Sequence, residues 1–386
     1  MSPISSSCQT VAIVLAVLFA LGTPLLWNRL PGPRALRVIL RLILLVSGQL
    51  LATAAILVWI NIASGGLIVT WQDLLGNQST RGGVFAGQRG EVPAPVANTV
   101  TKPALLLKAG RGHQDFGPSS NGFQVTTLRG SASGITSQVY VWTPPQYAAH
   151  PDMRFPVLEL LHGVWGSPQG WTEAMNVTAH LEDVEQSESS VHPYILVVPE
   201  VTPIPGRTRP QNNEECSDIP GDAKVGTWLT TDVRTMVLDD FRAEPQPDAW
   251  GIMGYSTGGF CAAKLVLQHP DLYRAAVSLS GYYTPDSTEL IDDPALSRLN
   301  SPLYLIGHTR TPAVSLLMTA SAQDPVDPAS EATRMIDTAR ANPLARATEV
   351  QSFIAPLGGG HNQSAWEKML PTAFTWLSQR LAGPIQ

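Results

Sequence analysis

The chain is poor in charge, in cysteine and in closely spaced metal ligands, and each shortage excludes a class of protein. Only 15% of the 386 residues are charged and the formal net charge is −6, so the basic surface of a nucleic-acid-binding protein is missing. Three cysteines are too few for a disulfide-rich scaffold, and the eight histidines form no H-x-x-x-H pair. We therefore expect no nucleic-acid partner, no metal and no cofactor.

Hydrophobic residues are abundant, at 44%, and they are concentrated near the N-terminus. Two apolar segments, at about 8–27 and 40–62, are each long enough to cross a hydrocarbon core of about 30 Å. Four arginines lie between them: Arg29, Arg34, Arg37 and Arg41. By the positive-inside rule we expect two transmembrane helices with a cytoplasmic loop, and the rest of the chain outside the cytoplasm. A cleaved signal peptide is the alternative interpretation of the first segment.

The remainder of the chain changes character near residue 121. Residues 72–121 are rich in Gly, Pro, Ser, Thr and Asn and have little periodicity, which is typical of a linker. After them, apolar runs of strand length alternate with helical patterns, which predicts a mostly parallel sheet flanked by helices. We therefore expect a membrane anchor (1–71), a linker (72–121) and an α/β domain (122–386). The predicted strands are 138–143, 157–161, 194–198, 249–253, 275–279, 313–320 and 350–355. The predicted helices are 178–186, 227–241, 260–269, 329–341 and 366–381.

The most informative motif is Gly254-Tyr255-Ser256-Thr257-Gly258, which lies between a predicted strand and a predicted helix. A serine on such a tight turn has its hydroxyl pushed out of the sheet, while the two glycines let strand and helix approach each other. This arrangement is a nucleophile elbow. It predicts that Ser256 is presented for attack on a carbonyl carbon.

A serine nucleophile needs a base, and the base needs an orienting carboxylate. His361 follows the last predicted strand in the glycine-rich run 358–361, and the chain order serine, acid, histidine is the one α/β-hydrolases use. We predict His361 as the base and Asp324, just after the strand 313–320, as the acid. Asp327 and Glu331 remain alternatives for the acid.

Acyl transfer also places negative charge on the carbonyl oxygen, which two inward-pointing backbone amides can stabilise. The residue after the nucleophile, Thr257, supplies one predicted donor. The loop after the strand 157–161 reads His162-Gly163-Val164-Trp165-Gly166, and we predict the Val164 amide as the second donor. We expect His162 to brace this backbone rather than to act as a second base.

Two of the three cysteines, Cys216 and Cys261, fall in the part of the chain that we place outside the cytoplasm. A disulfide could persist there, and it would tie a long loop to the helix that carries the nucleophile. The alternative is that Cys261 is a small buried apolar residue and Cys216 a free thiol.

Four motifs occur in one order that resembles a known family. They are L-L-H-G-V-W-G at 160–166, G-Y-S-T-G-G-F-C-A at 254–262, T-A-S-A-Q-D at 319–324 and G-G-G-H-N-Q-S-A-W at 358–366. Together they resemble the esterase D group of α/β-hydrolases, which includes feruloyl esterases and the mycolyltransferases of the mycobacterial envelope. The resemblance covers residue 123 to the C-terminus and implies the α/β-hydrolase fold, with Ser256, His361 and Asp324 as triad and Val164 and Thr257 as oxyanion hole. The two-helix anchor is similar to that of actinobacterial membrane-bound members.

The chain departs from the mycolyltransferases at two points. Where their oxyanion loop resembles D-G-x-R, this chain reads His162-Gly163-Val164-Trp165 and lacks the arginine. Their acid is a glutamate located roughly where Glu331 lies. Both departures favour a simple esterase over transfer to a sugar, and we expect its substrate to be a small-molecule or lipid ester. Two alternatives stay open: an envelope acyltransferase with a sugar hydroxyl as acceptor, and a non-catalytic, membrane-tethered binding protein.

Overall fold

The computed structural model describes residues 6–63, 83–90, 113–207, 212–322, 324–326, 329–355 and 360–386. The chain divides into two compact units. One contains the N-terminal residues up to Ser79 together with Gln323–Val326 and Leu357–Asn362, and the other contains the remainder.

The N-terminal residues form two helices, α1 (Ser6–Trp27) and α2 (Arg34–Ala63). By length and composition alone, Cys8–Trp27 and Arg34–Ile60 qualify as candidate membrane spans, each with a mean hydropathy of 2.2. The guanidinium of Arg41 donates to the Trp27 carbonyl oxygen from Nε at 3.2 Å and from Nη2 at 3.1 Å, which satisfies a carbonyl at the end of α1. Phe19 of α1 packs near Gly48 of α2, so the two helices run alongside each other.

The second unit is built on one ten-stranded sheet. Its strands are β1 (Val84–Gln88), β2 (Gly117–Pro118), β3 (Gln124–Arg129), β4 (Thr136–Trp142), β5 (Val157–Leu161), β6 (Ile195–Pro199), β7 (Trp250–Tyr255), β8 (Ala275–Leu279), β9 (Ser315–Ser321) and β10 (Glu349–Ala355). They are arranged in the order β1-β10-β9-β8-β7-β5-β6-β4-β3-β2. The six strands from β10 to β6 are parallel, as predicted, and the strands at both edges are antiparallel.

Helices connect and cover these strands. They are α3 (Pro145–Ala149), α4 (Val177–Ser187), α5 (Val225–Thr227), α6 (Arg234–Asp240), α7 (Thr257–Gln268), α8 (Thr288–Ile291), α9 (Pro294–Leu299), α10 (Pro302–His308), α11 (Ala329–Ala341), α12 (Gln363–Glu367) and α13 (Leu370–Ser378). A π-helical turn, Trp228–Val233, joins α5 to α6. The central strands β5, β6, β7, β8 and β9 are buried along their whole length, which explains why their sequences are mostly apolar.

Two expectations about element boundaries need comment. The predicted closing helix, 366–381, is wrong as a single helix, because the chain forms α12 and α13 with a break between them. Pro371 lies in the first turn of α13, where its missing N–H costs nothing, whereas inside one long helix its ring would clash with the preceding turn. Strand β1 lies within the predicted linker and pairs antiparallel with β10, from Val84 opposite Ile354 to Gln88 opposite Val350.

Candidate active site

Ser256 is the residue that joins β7 to α7, and its backbone is held in an unusual conformation. Its φ of 56° and ψ of −125° lie in a region that L-residues rarely occupy and that costs about 1–3 kcal/mol. The turn is fixed by hydrogen bonds: the Ser256 N–H donates to the Leu279 carbonyl oxygen at 2.9 Å, and the Gly259 N–H donates to the Ser256 carbonyl oxygen at 2.8 Å. The structure therefore forms the strained elbow that the motif predicts.

The two motif glycines are required by close backbone contacts. A Cβ on Gly254 would lie 2.1 Å from the Gly258 carbonyl oxygen, and a Cβ on Gly258 would lie 2.2 Å from the Leu161 carbonyl oxygen. Both distances are far below van der Waals contact. Only glycine therefore lets α7 begin directly against β7 and β5.

The predicted oxyanion loop lies against this elbow. A Cβ on Gly163 would lie 2.8 Å from the Ser256 Cβ, so the Gly163 backbone is next to the nucleophile. The Gly163 carbonyl oxygen accepts hydrogen bonds from the His162 ring at 2.9 Å and from the Gly166 N–H at 3.0 Å. In the trans peptide between Gly163 and Val164, the Val164 N–H points in the direction opposite to the Gly163 carbonyl oxygen. The Val164 N–H is therefore directed away from the two donors that this oxygen binds.

The amides of Val164 and Thr257 have the features of oxyanion donors. Val164 is 9% exposed and Thr257 is 3% exposed. Among the described residues, no acceptor is hydrogen-bonded to either backbone N–H, and Thr257 is the first residue of α7, where such amides lack an intrahelical partner. The helix dipole adds partial positive charge at this end.

His162 braces the oxyanion loop, as the sequence predicts. It is fully buried, and its Nδ1 is 2.9 Å from the Gly163 carbonyl oxygen. Its Nε2 is 2.8 Å from Oε1 of Glu200 and 3.0 Å from the Val201 backbone nitrogen. Burial alone would raise the pKa of the Glu200 carboxyl, but the hydrogen bonds from His162 and Thr202 keep that pKa below its ordinary value.

The predicted base and acid form a pair in the other unit. The His361 Nδ1 is 3.1 Å from Oδ2 of Asp324, and the second carboxylate oxygen, Oδ1, accepts the Val326 N–H at 2.9 Å. The Asp324 side chain is fully buried and that of His361 is 11% exposed. Because Ser256 belongs to the second unit, the complete triad of Ser256, His361 and Asp324 stays a prediction.

The alternative acids have different positions. Glu331 lies in α11, where its carboxylate faces Arg334 at 3.6 Å, as an ordinary i,i+3 ion pair. Asp327 lies outside the described residues, as do Gly358 and Gly359 of the glycine run before His361. Asp324 is thus the one of these three acids with a described contact to the His361 ring.

The predicted Cys216–Cys261 disulfide is present, with the two Cα atoms 5.8 Å apart. It joins α7 to a buried loop, Asn213–Ser217, in which Glu215 and Cys216 both have positive φ, at 43° and 55°. Lys264 of α7 is fully buried, and its Nζ donates to the carbonyl oxygens of Glu215 and Cys216 at 2.7 and 2.8 Å. Burial lowers the pKa of Lys264 to about 7.

Sequence reasoning missed the role of this loop. The one signal was a lysine three residues after Cys261 in an otherwise apolar helix, because a buried lysine needs acceptors that a loop can supply. Four aromatic residues near the elbow differ in their exposure to solvent. Trp171 and Tyr283 are buried packing residues, Trp165 is 75% exposed, and Tyr282 is half-buried.

Known proteins with a similar sequence point to one family. The family model described as "Putative esterase" matches residues 131–377. A protein of Corynebacterium glutamicum, described as uncharacterized, is 24% identical over 272 residues, which cover 66% of this chain and 60% of that protein. The chain therefore spans about 60% of the length of the curated relative it matches.

Solved structures with a similar fold are esterases and related hydrolases. A ferulic acid esterase superimposes with a TM-score of 0.55 at 19% identity, covering 67% of this chain and 98% of its own. An S-formylglutathione hydrolase from Agrobacterium tumefaciens gives 0.56 at 13% identity, covering 69% and 99%. Staphylococcus aureus fluorophosphonate-binding serine hydrolase F gives 0.51 at 18% identity, covering 68% and 99%. At sequence identities of 13% to 19%, the similarity to these solved structures shows a common fold alone. Since the family match spans well over half of the 386 residues, the chain belongs to this esterase family.

Proposed function

We propose that this protein is a serine carboxylic ester hydrolase that acts through a triad of Ser256, His361 and Asp324. The observation that carries the proposal is the strained Ser256 turn, with the Gly163 backbone directly against it. Strain of this kind persists only where the surrounding structure enforces it, and it is concentrated at functional sites.

Chain connectivity supports the convergence of the three side chains. Ser256 follows β7 directly, Asp324 comes three residues after the end of β9, and His361 comes six residues after the end of β10. These strands are parallel, so their carboxyl ends meet at one edge of the sheet. Three strand spacings of about 4.8 Å separate β10 from β7, roughly 14 Å, while six residues can span up to about 20 Å. The chain is therefore long enough for His361 to approach Ser256.

The proposed reaction follows from these roles. His361 Nε2 takes the proton from Ser256 Oγ as the oxygen attacks the ester carbonyl, and Asp324 holds the ring through Nδ1. The amides of Val164 and Thr257 stabilise the oxyanion, a contribution of several kcal/mol in comparable sites. The alcohol leaves with a proton from His361, and water then releases the acid from the acyl-enzyme.

Hydrolysis of a short ester tests the proposal. We expect the full-length protein in detergent to hydrolyse p-nitrophenyl butyrate, and Ser256→Ala to lower kcat at least ~1000-fold. Ser330→Ala, which changes an exposed serine in α11, is the matched control and should keep full activity. Equal rates for the wild type and Ser256→Ala would refute the proposal. Adding a disaccharide and looking for an acylated sugar tests the acyltransferase alternative.

We further propose that residues 1–71 anchor the protein in the membrane and that the unit built on the ten-stranded sheet, which includes β1 and β2 from the predicted linker, lies outside the cytoplasm. The arginines between α1 and α2 support a cytoplasmic loop. The Cys216–Cys261 bridge supports an oxidising compartment for the catalytic domain. A small-molecule or lipid ester is the proposed substrate.

Cysteine labelling on intact cells tests this topology. In a Cys8→Ser background, Ser189→Cys adds a thiol at an exposed position of the catalytic domain, and Asn28→Cys adds one to the loop between α1 and α2. A membrane-impermeant maleimide should label the first variant before lysis and the second only after it. The reverse order would contradict the proposed orientation.

A further inference from the structure

Tyr282 is a half-buried tyrosine that follows β8, the strand next to the elbow strand β7. Its ring stacks on Phe260 of α7, with the ring centroids 4.9 Å apart and the planes inclined by 17°. Its hydroxyl oxygen, Oη, is 3.4 Å from Oγ1 of Thr257, the residue after the nucleophile. Tyr282 therefore places a phenolic hydroxyl beside a predicted oxyanion donor.

Glu215 fixes the position of this hydroxyl. Tyr282 Oη donates to Oε1 of Glu215 at 2.5 Å, and the same carboxylate accepts the Asp286 N–H at 3.1 Å through Oε1 and 3.2 Å through Oε2. Glu215 is 1% exposed. A buried carboxylate with short hydrogen bonds is held in one place, so it holds Tyr282 as well.

The loop that carries Glu215 is itself immobilised against α7. Lys264 Nζ donates to the Glu215 and Cys216 carbonyl oxygens and to Ser217 Oγ at 2.6 Å, and the disulfide attaches Cys216 to α7. Such fixation is the kind of support that a preorganised binding group requires.

The direction of the hydrogen bonds determines what Tyr282 can recognise. A phenol carries one proton, and at 2.5 Å that proton is donated to Glu215. Toward any other group, including the Thr257 hydroxyl at 3.4 Å, the oxygen therefore acts as an acceptor. The complementary ligand is a hydrogen-bond donor close to the scissile ester.

We propose that Tyr282 is a specificity-determining residue whose Oη accepts a hydrogen bond from a hydroxyl group of the substrate near the scissile ester. The inference rests on the proposed esterase activity and adds a substrate class to it, namely esters that carry a neighbouring hydroxyl. That hydroxyl can belong to the alcohol part, as in a glycerol or sugar ester, or to the acyl part, as in a 3-hydroxyacyl ester.

Three esters test the inference and separate the two sources. Propyl butyrate has no hydroxyl, 2,3-dihydroxypropyl butyrate has hydroxyls on the alcohol side, and propyl 3-hydroxybutyrate has one on the acyl side. For each enzyme variant, the ratio of kcat/KM between a hydroxylated ester and propyl butyrate is measured in one preparation. Partial unfolding lowers both values equally and cancels from this ratio.

Tyr282→Phe is the test variant, because it keeps the stacked ring and removes only Oη. We expect it to lower the ratio about five- to tenfold for one hydroxylated ester, the size expected for one lost hydrogen bond. Tyr283→Phe is the matched control, since the hydroxyl of that buried neighbour contacts Ser278 Oγ at 3.1 Å, and it should leave both ratios unchanged.

An unchanged ratio in Tyr282→Phe for both hydroxylated esters, whether or not the absolute rates fall, would overturn the inference while leaving the esterase proposal intact. Failure of the esterase proposal has a different signature: the wild type and Ser256→Ala would release acid from all three esters at the same rate, and the inference would then fall with it.

Discussion

The His361 Nδ1 lies 3.1 Å from Oδ2 of Asp324, whose other carboxylate oxygen is held by the Val326 N–H. A carboxylate fixed in this way keeps the proton of a neutral histidine on Nδ1 and leaves Nε2 as the basic nitrogen. That tautomer is the one a serine esterase requires, because Nε2 must receive the hydroxyl proton.

Asp324→Asn should therefore lower kcat about 10³- to 10⁴-fold with little change in KM, because an amide in this place favours the wrong tautomer. The measurement is steady-state hydrolysis of p-nitrophenyl butyrate. Glu331→Gln is the comparison, and we expect it to keep near-wild-type activity because Glu331 pairs with Arg334 instead. An active Asp324→Asn together with an inactive Glu331→Gln would assign the acid to Glu331.

Gly258→Ala should destabilise the fold by about 3 kcal/mol, because the added methyl group would lie 2.2 Å from the Leu161 carbonyl oxygen and 2.7 Å from that of His162. Backbone atoms of a buried strand end cannot move away cheaply. Urea unfolding of the protein in detergent measures the loss. Gly117→Ala is the control, since nothing lies within 4 Å of its added Cβ, and equal stability of the two variants would show that the contact is harmless.

Removing the disulfide should also destabilise the catalytic domain. The bridge spans 45 residues, for which the chain-entropy model gives about 4 kcal/mol. We expect the double variant Cys216→Ala/Cys261→Ala to show this loss in urea unfolding, and an excess of dithiothreitol to reproduce it in the wild type. Cys8→Ser changes the cysteine of α1 and should have no such effect. A stable double variant would mean that Lys264 and its acceptors hold the loop unaided.

The stability of the fold should fall as the pH rises from about 4.5 to 7, in part through Glu159. This carboxyl is fully buried in β5, and burial raises its pKa from 4.5 to about 7, against the opposing hydrogen bond from Tyr273. Between these values the folded protein keeps a proton that the unfolded chain has lost, so the stabilisation present at low pH is lost as the pH rises, by up to about 3 kcal/mol.

Comparing Glu159→Gln with the wild type between pH 5 and 8 isolates this contribution. We expect the free energy of unfolding of the variant to change less with pH, because glutamine can still accept from Tyr273 but cannot titrate. Asp183→Asn, at an exposed position of α4, should show the wild-type slope. Parallel curves for the wild type and Glu159→Gln would rule out this source of the pH dependence.

The sequence was sufficient to predict the parts of the fold that depend on local chemistry. The glycines at 254 and 258 identify the elbow because only residues without a Cβ fit between β5, β7 and α7. Buried parallel strands such as β5 and β8 have short, mostly apolar sequences, and their predicted bounds match the observed ones. The pairing of Cys216 with Cys261 was one of two possibilities that the sequence left open, and the structure contains the bridge.

Features that depend on contacts between distant parts of the chain could not be predicted from the sequence. Strand β1 carries no strong strand pattern and forms by pairing with β10, more than 250 residues later in the chain. The role of Glu215 depends on Tyr282 and Lys264, which reach it from two other parts of the chain. Local sequence periodicity cannot indicate these contacts, because only the folded backbone brings Glu215, Tyr282 and Lys264 together.

The most direct test of the central claim, that Ser256 is an activated nucleophile, is covalent labelling with a fluorophosphonate followed by mass spectrometry of the intact protein and of its peptides. A fluorophosphonate reacts with a serine whose proton a neighbouring base removes, so labelling reports the working site and not the fold alone. We predict one adduct per chain on the peptide that contains Ser256, and none in Ser256→Ala or His361→Ala. An unlabelled wild-type protein, or a label that persists in Ser256→Ala, would contradict the account.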